Sequence, residues 1–243
     1  MQILKNVIQG LSSLVYPRTC LVCRKSLKSE RSDALVCLSC WSDIKLNTPP
    51  FCFKCGRKLL ENESANNICF DCTIKVMHFD RAFSPCSYDG TIKKLLHAFK
   101  YKNIDYLDEI LAKPMIDFVK EYNIPINKID MIIPIPLHKT KIREREFNQS
   151  SLLAKHISKE FNKEISEGLL IRHLNTRTQT ELNDRDRLTN IKGAFSIKDR
   201  SCVKDKDVLL IDDVLTTGAT CSEAAFVLKN SGAKSVFVLT LAN

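Results

Sequence analysis

The chain has 243 residues, 44% of them apolar, and a formal charge of +9. That length carries one sizeable core plus a small appendage, and the apolar share suits a soluble globular chain rather than a disordered or fibrous one. No run approaches the 18 or so apolar residues of a membrane span, and the positive charge points to a polyanionic partner, either a small phosphate ligand or a nucleic acid.

Residues 1–18 read as a short helical lead. They are mildly apolar, but Lys5, Asn6 and Gln9 interrupt the run. A secretory signal needs a longer apolar centre and a small-residue cleavage site, so a cytoplasmic location and reduced thiols are expected. Eight of the eleven cysteines then form four C-x-x-C pairs: Cys20 and Cys23, Cys37 and Cys40, Cys52 and Cys55, Cys69 and Cys72. Each pair can turn two thiolates toward one ion, and two pairs complete a tetrahedron around zinc. Taken in order, the pairs give two sites that enclose the same 13-residue gap, which favours this pairing over a crossed one. Four successive pairs argue against redox centres. Ligand type alone leaves iron–sulfur open, below zinc. Beyond Leu35, Trp41 and Phe51 the stretch has few large apolar groups. Metal is therefore expected to supply much of its stability, and the ribbon to be a hydrophobic unit separate from the core around 208–241. Cys86, Cys202 and Cys221 fall outside the pattern and read as buried small residues.

After Cys72 the composition changes. Residues 79–88 read as a short strand or hairpin. Ile92, Leu95, Leu96 and Phe99 line one face of a helix, with Lys93, Lys94 and Lys100 on the others. A second helix covers 105–122, where Pro114 is expected to kink or delay it. Residues 131–136 read as a buried strand, followed by a proline-containing loop that carries Lys139, Lys141, Arg143 and Arg145. From Phe147 a helical stretch places Leu152, Leu153, Ile157 and Phe161 for burial. Residues 169–171 are a short strand candidate. The polar stretch 172–192, with Arg172, Arg177, Arg185 and Arg187, reads as a mobile loop and a turn or two of helix.

Residues 208–220 are the most informative. The apolar run 208–211 fits a strand buried on both faces of a parallel sheet. Asp212 and Asp213 follow, then Val214, Leu215, Thr216, Thr217, Gly218, Ala219 and Thr220, and a helix begins with Ala224, Ala225 and Leu228 on one side. Open α/β sheets bind ligands at this carboxyl end. Gly218 permits a tight turn, successive amides and the helix N-terminus suit a phosphate, and the threonines add hydroxyl donors. Paired acids repel that phosphate but fit ribose hydroxyls or a shared divalent ion. Simple helix capping needs only one such side chain. The loop matches neither a Walker A sequence nor a GxGxxG dinucleotide turn. Final strand 236–241 completes a mostly parallel sheet with helices on both faces.

This stretch resembles the phosphoribosyl pyrophosphate (PRPP) motif of type I phosphoribosyltransferases. The resemblance implies that Asp212 and Asp213, the candidate catalytic acids, sit beside the ribose, that residues 216–220 wrap the 5′-phosphate, and that Val214 and Leu215 belong to the same PRPP-binding stretch, with magnesium accompanying the ligand. The whole chain resembles the ComF family of competence-associated proteins, which set a double zinc ribbon before a phosphoribosyltransferase-like domain. Boundaries of 1–18 for the lead, 19–76 for the ribbon and 77–243 for the domain follow. The family's aromatic–basic helix corresponds to 88–102, its asparagine segment to 133–149, and its arginine–glutamine stretch to Arg172–Gln179, with Arg187, Asn190 and Phe195 beyond. Arg145, Asn148 and Gln149 match, whereas Glu146 replaces a usual glycine. Pointing inward it would disfavour pyrophosphate; the favoured placement is the exposed side of a helix start, where negative charge is stabilising.

Two functions follow from the resemblance. One is phosphoribosyl transfer: an unidentified nucleophile attacks ribose C1, pyrophosphate leaves, and magnesium with Lys139, Lys141, Arg143 and Arg145 stabilises the departing oxygens. The other is a role in DNA uptake and natural transformation, beside the uptake helicase, with single-stranded DNA as a partner and the PRPP loop as a retained ligand sensor. The sequence carries no alternating aromatic–basic RNA-binding motif.

Overall fold

The computed structural model describes residues 19–27, 35–59, 67–101, 104–175 and 191–243. Expectations for 1–18, Lys102, Arg177, Gln179, Arg185, Arg187 and Asn190 lie outside the described residues.

The described helices are α1 (Leu38–Ser42), α2 (Phe70–Ile74), α3 (Gly90–Tyr101), α4 (Asp108–Glu121), α5 (Lys139–Arg145), α6 (Gln149–Phe161) and α7 (Ala219–Asn230). The strands are β1 (Arg81–Phe83), β2 (Met131–Pro134), β3 (Glu164–Ile165), β4 (Leu170–Arg172), β5 (Phe195–Ile197), β6 (Asp207–Val214) and β7 (Ser235–Ala242). Five of them form one parallel sheet in the order β1-β7-β6-β2-β3. The central strand, β6, owes its place to 208–211, where all four side chains are buried. Alternation sends Leu209 and Ile211 to one face and Val208 and Leu210 to the other. The first pair joins Leu95, Leu96 and Phe99 of α3, Leu111 and Met115 of α4, and Leu153 and Ile157 of α6. The second joins Ala224, Ala225 and Leu228 of α7, with Leu170 and Phe195 from the β4–β5 pair. Burying each such large side chain contributes about 1.5–3 kcal/mol.

Several expectations change. Of the two readings of 79–88 the short strand holds, as a three-residue edge strand parallel to β7. The strand near 169–171 pairs antiparallel with β5 in a separate two-stranded sheet. α4 continues through Pro114, preceded by a 3-10 turn at Asp105–Leu107. The basic segment is helix α5, because the His138 side chain caps it by accepting from the Thr140 amide at 3.3 Å. Glu146 ends α5 at φ 65 rather than starting a helix, and it is exposed. Only glycine reaches that conformation without steric cost, so Glu146 carries backbone strain here.

The ribbon is not a separate hydrophobic unit. Leu21, Val22, Leu35, Val36, Trp41 and Phe51 pack against the α3–α4–α6 core, and Cys52, Cys55, Leu59 and Cys69 lie inside the α7 core. The sequence hid this because the ribbon's apolar residues are few and scattered, and only tertiary contact reveals that they share another module's core.

Candidate functional site

Two clusters of four cysteines form: Cys20, Cys23, Cys37 and Cys40, and Cys52, Cys55, Cys69 and Cys72, with all sulfurs of a cluster within 4.8 Å of one another. Zinc–sulfur bonds of about 2.3 Å place tetrahedral sulfurs about 3.8 Å apart. The Cys23–Cys37 and Cys55–Cys69 sulfurs are 3.6 and 3.7 Å apart. All eleven cysteines are free of disulfides. The clusters fit two structural zinc ions in the sequential pairing, and the crossed pairing is not formed. Zinc would draw on thiolates that backbone amides already orient: Cys37 N donates to Cys20 Sγ at 3.4 Å and Cys69 N to Cys52 Sγ at 3.3 Å.

The knuckles repeat one another. Cys20 N donates to Lys25 O, and Cys52 N to Arg57 O, both at 2.8 Å. Arg24 N donates to Cys20 O, and Gly56 N to Cys52 O, both at 2.9 Å. Arg24 and Gly56 take the same left-handed turn, at φ 64 and φ 74. The second cysteine pair of each site opens a five-residue helix, α1 or α2.

At the carboxyl edge of the parallel sheet, β6 presents the two acids. Asp212 Oδ1 accepts from Ser150 Oγ and from the Asp213 amide, each at 2.9 Å. Burial, and then the charge of Asp213, push the Asp212 carboxyl up to about 6. Asp213 is buried and faces Lys100 Nζ at 2.6 Å. Burial opposes the Lys100 charge, but Asp213 and then Asp212 outweigh it and raise its pKa. Leu215 N donates to Ala242 O at 2.9 Å, and Gly218 turns the chain at φ 76 into α7. Thr217, Gly218 and Ala219 are buried, whereas Thr216 is exposed. Thr217 Oγ1 accepts from the Ala219 amide at 3.4 Å. The loop therefore leads into the N-terminus of a 12-residue helix, whose first amides favour an anion.

Basic residues converge on the acids from three other elements. Lys100 comes from α3. Arg145, at the end of α5, lies over the Tyr101 ring at 5.2 Å and donates to Gln149 Oε1 at 3.2 Å. Gln149 is 2% exposed, and its Nε2 has no hydrogen-bond partner among the described residues. Arg172 of β4 lies over Phe195 at 5.6 Å; burial lowers its pKa, while Asp212 raises it. Asn148 caps α6 and ties it to β2, accepting from the Ser150 amide and donating to Ile135 O.

Of the four basic residues singled out in the sequence, only Arg145 reaches this cluster. Lys141 pairs with Glu144 at 3.1 Å, and Lys139 and Arg143 face solvent. Lys100 and Ser150 were missed as partners of the acids. No helical periodicity marked either residue, because both meet the acids only through tertiary contact. Cys221 is buried and its thiol is raised well above the usual range, first by burial and then by Asp212. Cys86 is buried, but Cys202 is exposed, contrary to expectation. No helix among the described residues is long and apolar enough to cross a membrane.

Residues 11–73 match the double zinc ribbon domain family and residues 148–243 the phosphoribosyl transferase domain family. The chain is 30% identical over 244 residues to competence protein ComFC of Bacillus subtilis, with 93% of this chain and 95% of that protein covered. It is 28% identical to competence protein F of Haemophilus influenzae, covering 92% and 96%. To DNA utilization protein YhgH of Escherichia coli K12 it is 27% identical, covering 94% and 98%.

Proposed function

The chain belongs to the family of competence protein F and ComFC, and from that membership we propose that it binds PRPP, or a related ribose 5-phosphate ester, with magnesium at residues 212–220, and that it serves DNA uptake in natural transformation. One observation carries the reading. Two acids, a threonine–glycine turn and a helix N-terminus follow the central strand without interruption, at the sheet edge where such folds hold ligands. Asp212 and Asp213 accept from the ribose hydroxyls or share the metal, and residues 216–220 take the phosphate. The ribbon, 19–76, and the domain, 77–243, act in the cytoplasm as one unit.

Titration calorimetry with PRPP and magnesium tests this. Binding to the intact protein is expected, with about a tenfold or larger loss in an Asp212→Asn, Asp213→Asn double variant. Unchanged affinity in that variant removes the acids from the site.

Turnover is a second reading, favoured by Lys100, Arg145 and Arg172 beside the acids. These cations would stabilise pyrophosphate as its bond to C1 breaks. Pyrophosphate release from PRPP in the presence of candidate acceptors measures it. For nucleic acid, the solvent-facing Lys139 and Arg143 of α5 are the candidate backbone contacts. Single-strand binding that weakens steeply with salt, and whose salt slope falls by about one for each lost contact in an Arg143→Ala variant, is the expected result. No binding at low salt ends that reading.

A further inference from the structure

The 215–218 loop does not stand free behind its ligand face. A small cavity of 20 Å³ separates it from the second cysteine cluster: Thr216, Thr217 and Gly218 form one wall, and Cys55, Cys72 and Met77 the other. A methyl group placed on Gly218 would come within 2.9 Å of Met77 Cε and 3.0 Å of its sulfur, so the turn of the loop and this side chain are in close contact. Two hydrogen bonds fasten the same junction. His78 N donates to Ser222 Oγ, in the first turn of α7, at 3.1 Å. Asn243 Nδ2 donates to Cys55 O at 3.1 Å, while the adjacent Ala242 O holds Leu215 N.

The first cluster has no such position. Leu21, Val22, Leu35 and Trp41 around it pack on the opposite core, and none of its cysteines lines the cavity.

We infer that the second cluster and Met77 are positioning elements for the ribose-phosphate loop, so that zinc at Cys52, Cys55, Cys69 and Cys72 and a ribose 5-phosphate ester at 215–220 strengthen one another's binding, while the first cluster takes no part. This rests on the reading of 212–220 as a ribose-phosphate site. The physical route is short. Helix α2 has five residues, too few to persist in water alone. Metal ligation at Cys69 and Cys72 therefore fixes its geometry, and Met77 follows five residues after Cys72. Without zinc the wall loosens, the loop spends less time in its binding form, and apparent affinity falls by that fraction. Reciprocity then requires bound ligand to hold the second zinc by the same factor.

The experiment follows zinc release from the two-zinc protein into a chromogenic chelator, with and without saturating ribose 5-phosphate. Variants Cys23→Ser and Cys72→Ser assign the phases. Release from the second cluster is expected to slow by about fivefold or more with ligand, within the usual range of coupling between sites, and release from the first to be unchanged. Should a cysteine variant fail to fold, Met77→Ala carries the test. It should keep two zincs and bind ribose 5-phosphate about fivefold more weakly by calorimetry, and Met77→Leu should restore affinity. Ligand that slows both releases equally or neither, or wild-type affinity in Met77→Ala, overturns the inference while leaving the ribose-phosphate site in place. No binding of ribose 5-phosphate or PRPP to the intact two-zinc protein overturns the site itself.

Discussion

Cys20–Cys23 and Cys52–Cys55 open knuckles with the same hydrogen bonds, the same left-handed turn and the same helix after the second pair. What differs is their setting. In the first cluster, Cys23 and Cys37 are half-exposed. In the second, Cys52, Cys55 and Cys69 are buried within the core that also holds Leu210, Leu215 and Ala219. Equal local chemistry thus carries unequal weight: a metal site contributes to the whole fold in proportion to what its ligands are packed against. The largest expected effect tests this. Cys55→Ser should cost the whole chain more than about 4 kcal/mol, the scale of losing a structural metal from a shared core. Cys23→Ser should cost about half as much. Thermal unfolding with zinc analysis measures both. Equal losses would erase the distinction, and an intact 208–241 core in Cys55→Ser would restore the picture of separate units.

A finer probe uses the matched turn. Gly56 sits at φ 74, and a methyl group there would lie 2.5 Å from Ala82 O, a backbone atom that cannot swing away. Gly56→Ala is expected to destabilise by about 2–4 kcal/mol. Arg24 takes the same turn at φ 64. Arg24→Gly should relieve the left-handed cost and stabilise by up to about 1 kcal/mol, less the entropy that glycine adds to the unfolded chain. Chemical denaturation of the pair gives the contrast. Similar values of the same sign would show that the turn, and not its neighbours, sets the cost.

Particular residues explain what the sequence revealed. The strand at 208–211, the acids and the threonine–glycine loop are contiguous, so chain order alone exposed them. The cysteine pairing was legible because its spacing repeats. Lys100 and Asp213 are 113 positions apart, and no periodicity in either segment reports their meeting. The docking of Met77 on Gly218 was hidden for the same reason. The basic segment misled because Lys139, Lys141 and Arg143 share a run with Arg145 but not a direction: as a helix, α5 turns its last arginine inward against Tyr101 and Gln149, while Lys139 and Arg143 face solvent.

Asp213 takes its ammonium partner, Lys100, from the domain's own α3. Lys100→Met would leave Asp213, 11% exposed, without the ammonium at 2.6 Å. A loss of about 2 kcal/mol is expected by denaturant titration, since stranding one member of a largely buried pair costs more than the pair contributes. Zinc release from both clusters should stay at wild-type rates. Altered release from the second cluster would mean that the acids and the knuckle communicate through more than the loop.

The acids and the loop are separable by pH. Asp212 titrates at about 6 in the folded chain, against about 3.9 when unfolded. The folded value is the higher one, so the native state holds the extra proton between those values. The contribution of this group is fully present below about pH 4 and is lost as pH rises through about 6. Without ligand, wild type should therefore lose stability relative to Asp212→Asn between pH 4 and 7. Ligand reverses the preference, because ribose hydroxyls and magnesium need the ionised carboxylate. A site that requires this form should bind about tenfold more weakly at pH 5 than at pH 7. A phosphate monoester also titrates near pH 6, so the measured quantity is the affinity ratio of wild type to Asp212→Asn, which should shrink as pH falls. Met77→Ala acts on the loop instead, and its deficit should be the same at every pH. A pH-dependent deficit in Met77→Ala would join the knuckle to the acids, and a constant ratio in Asp212→Asn would remove that carboxylate from ligand binding.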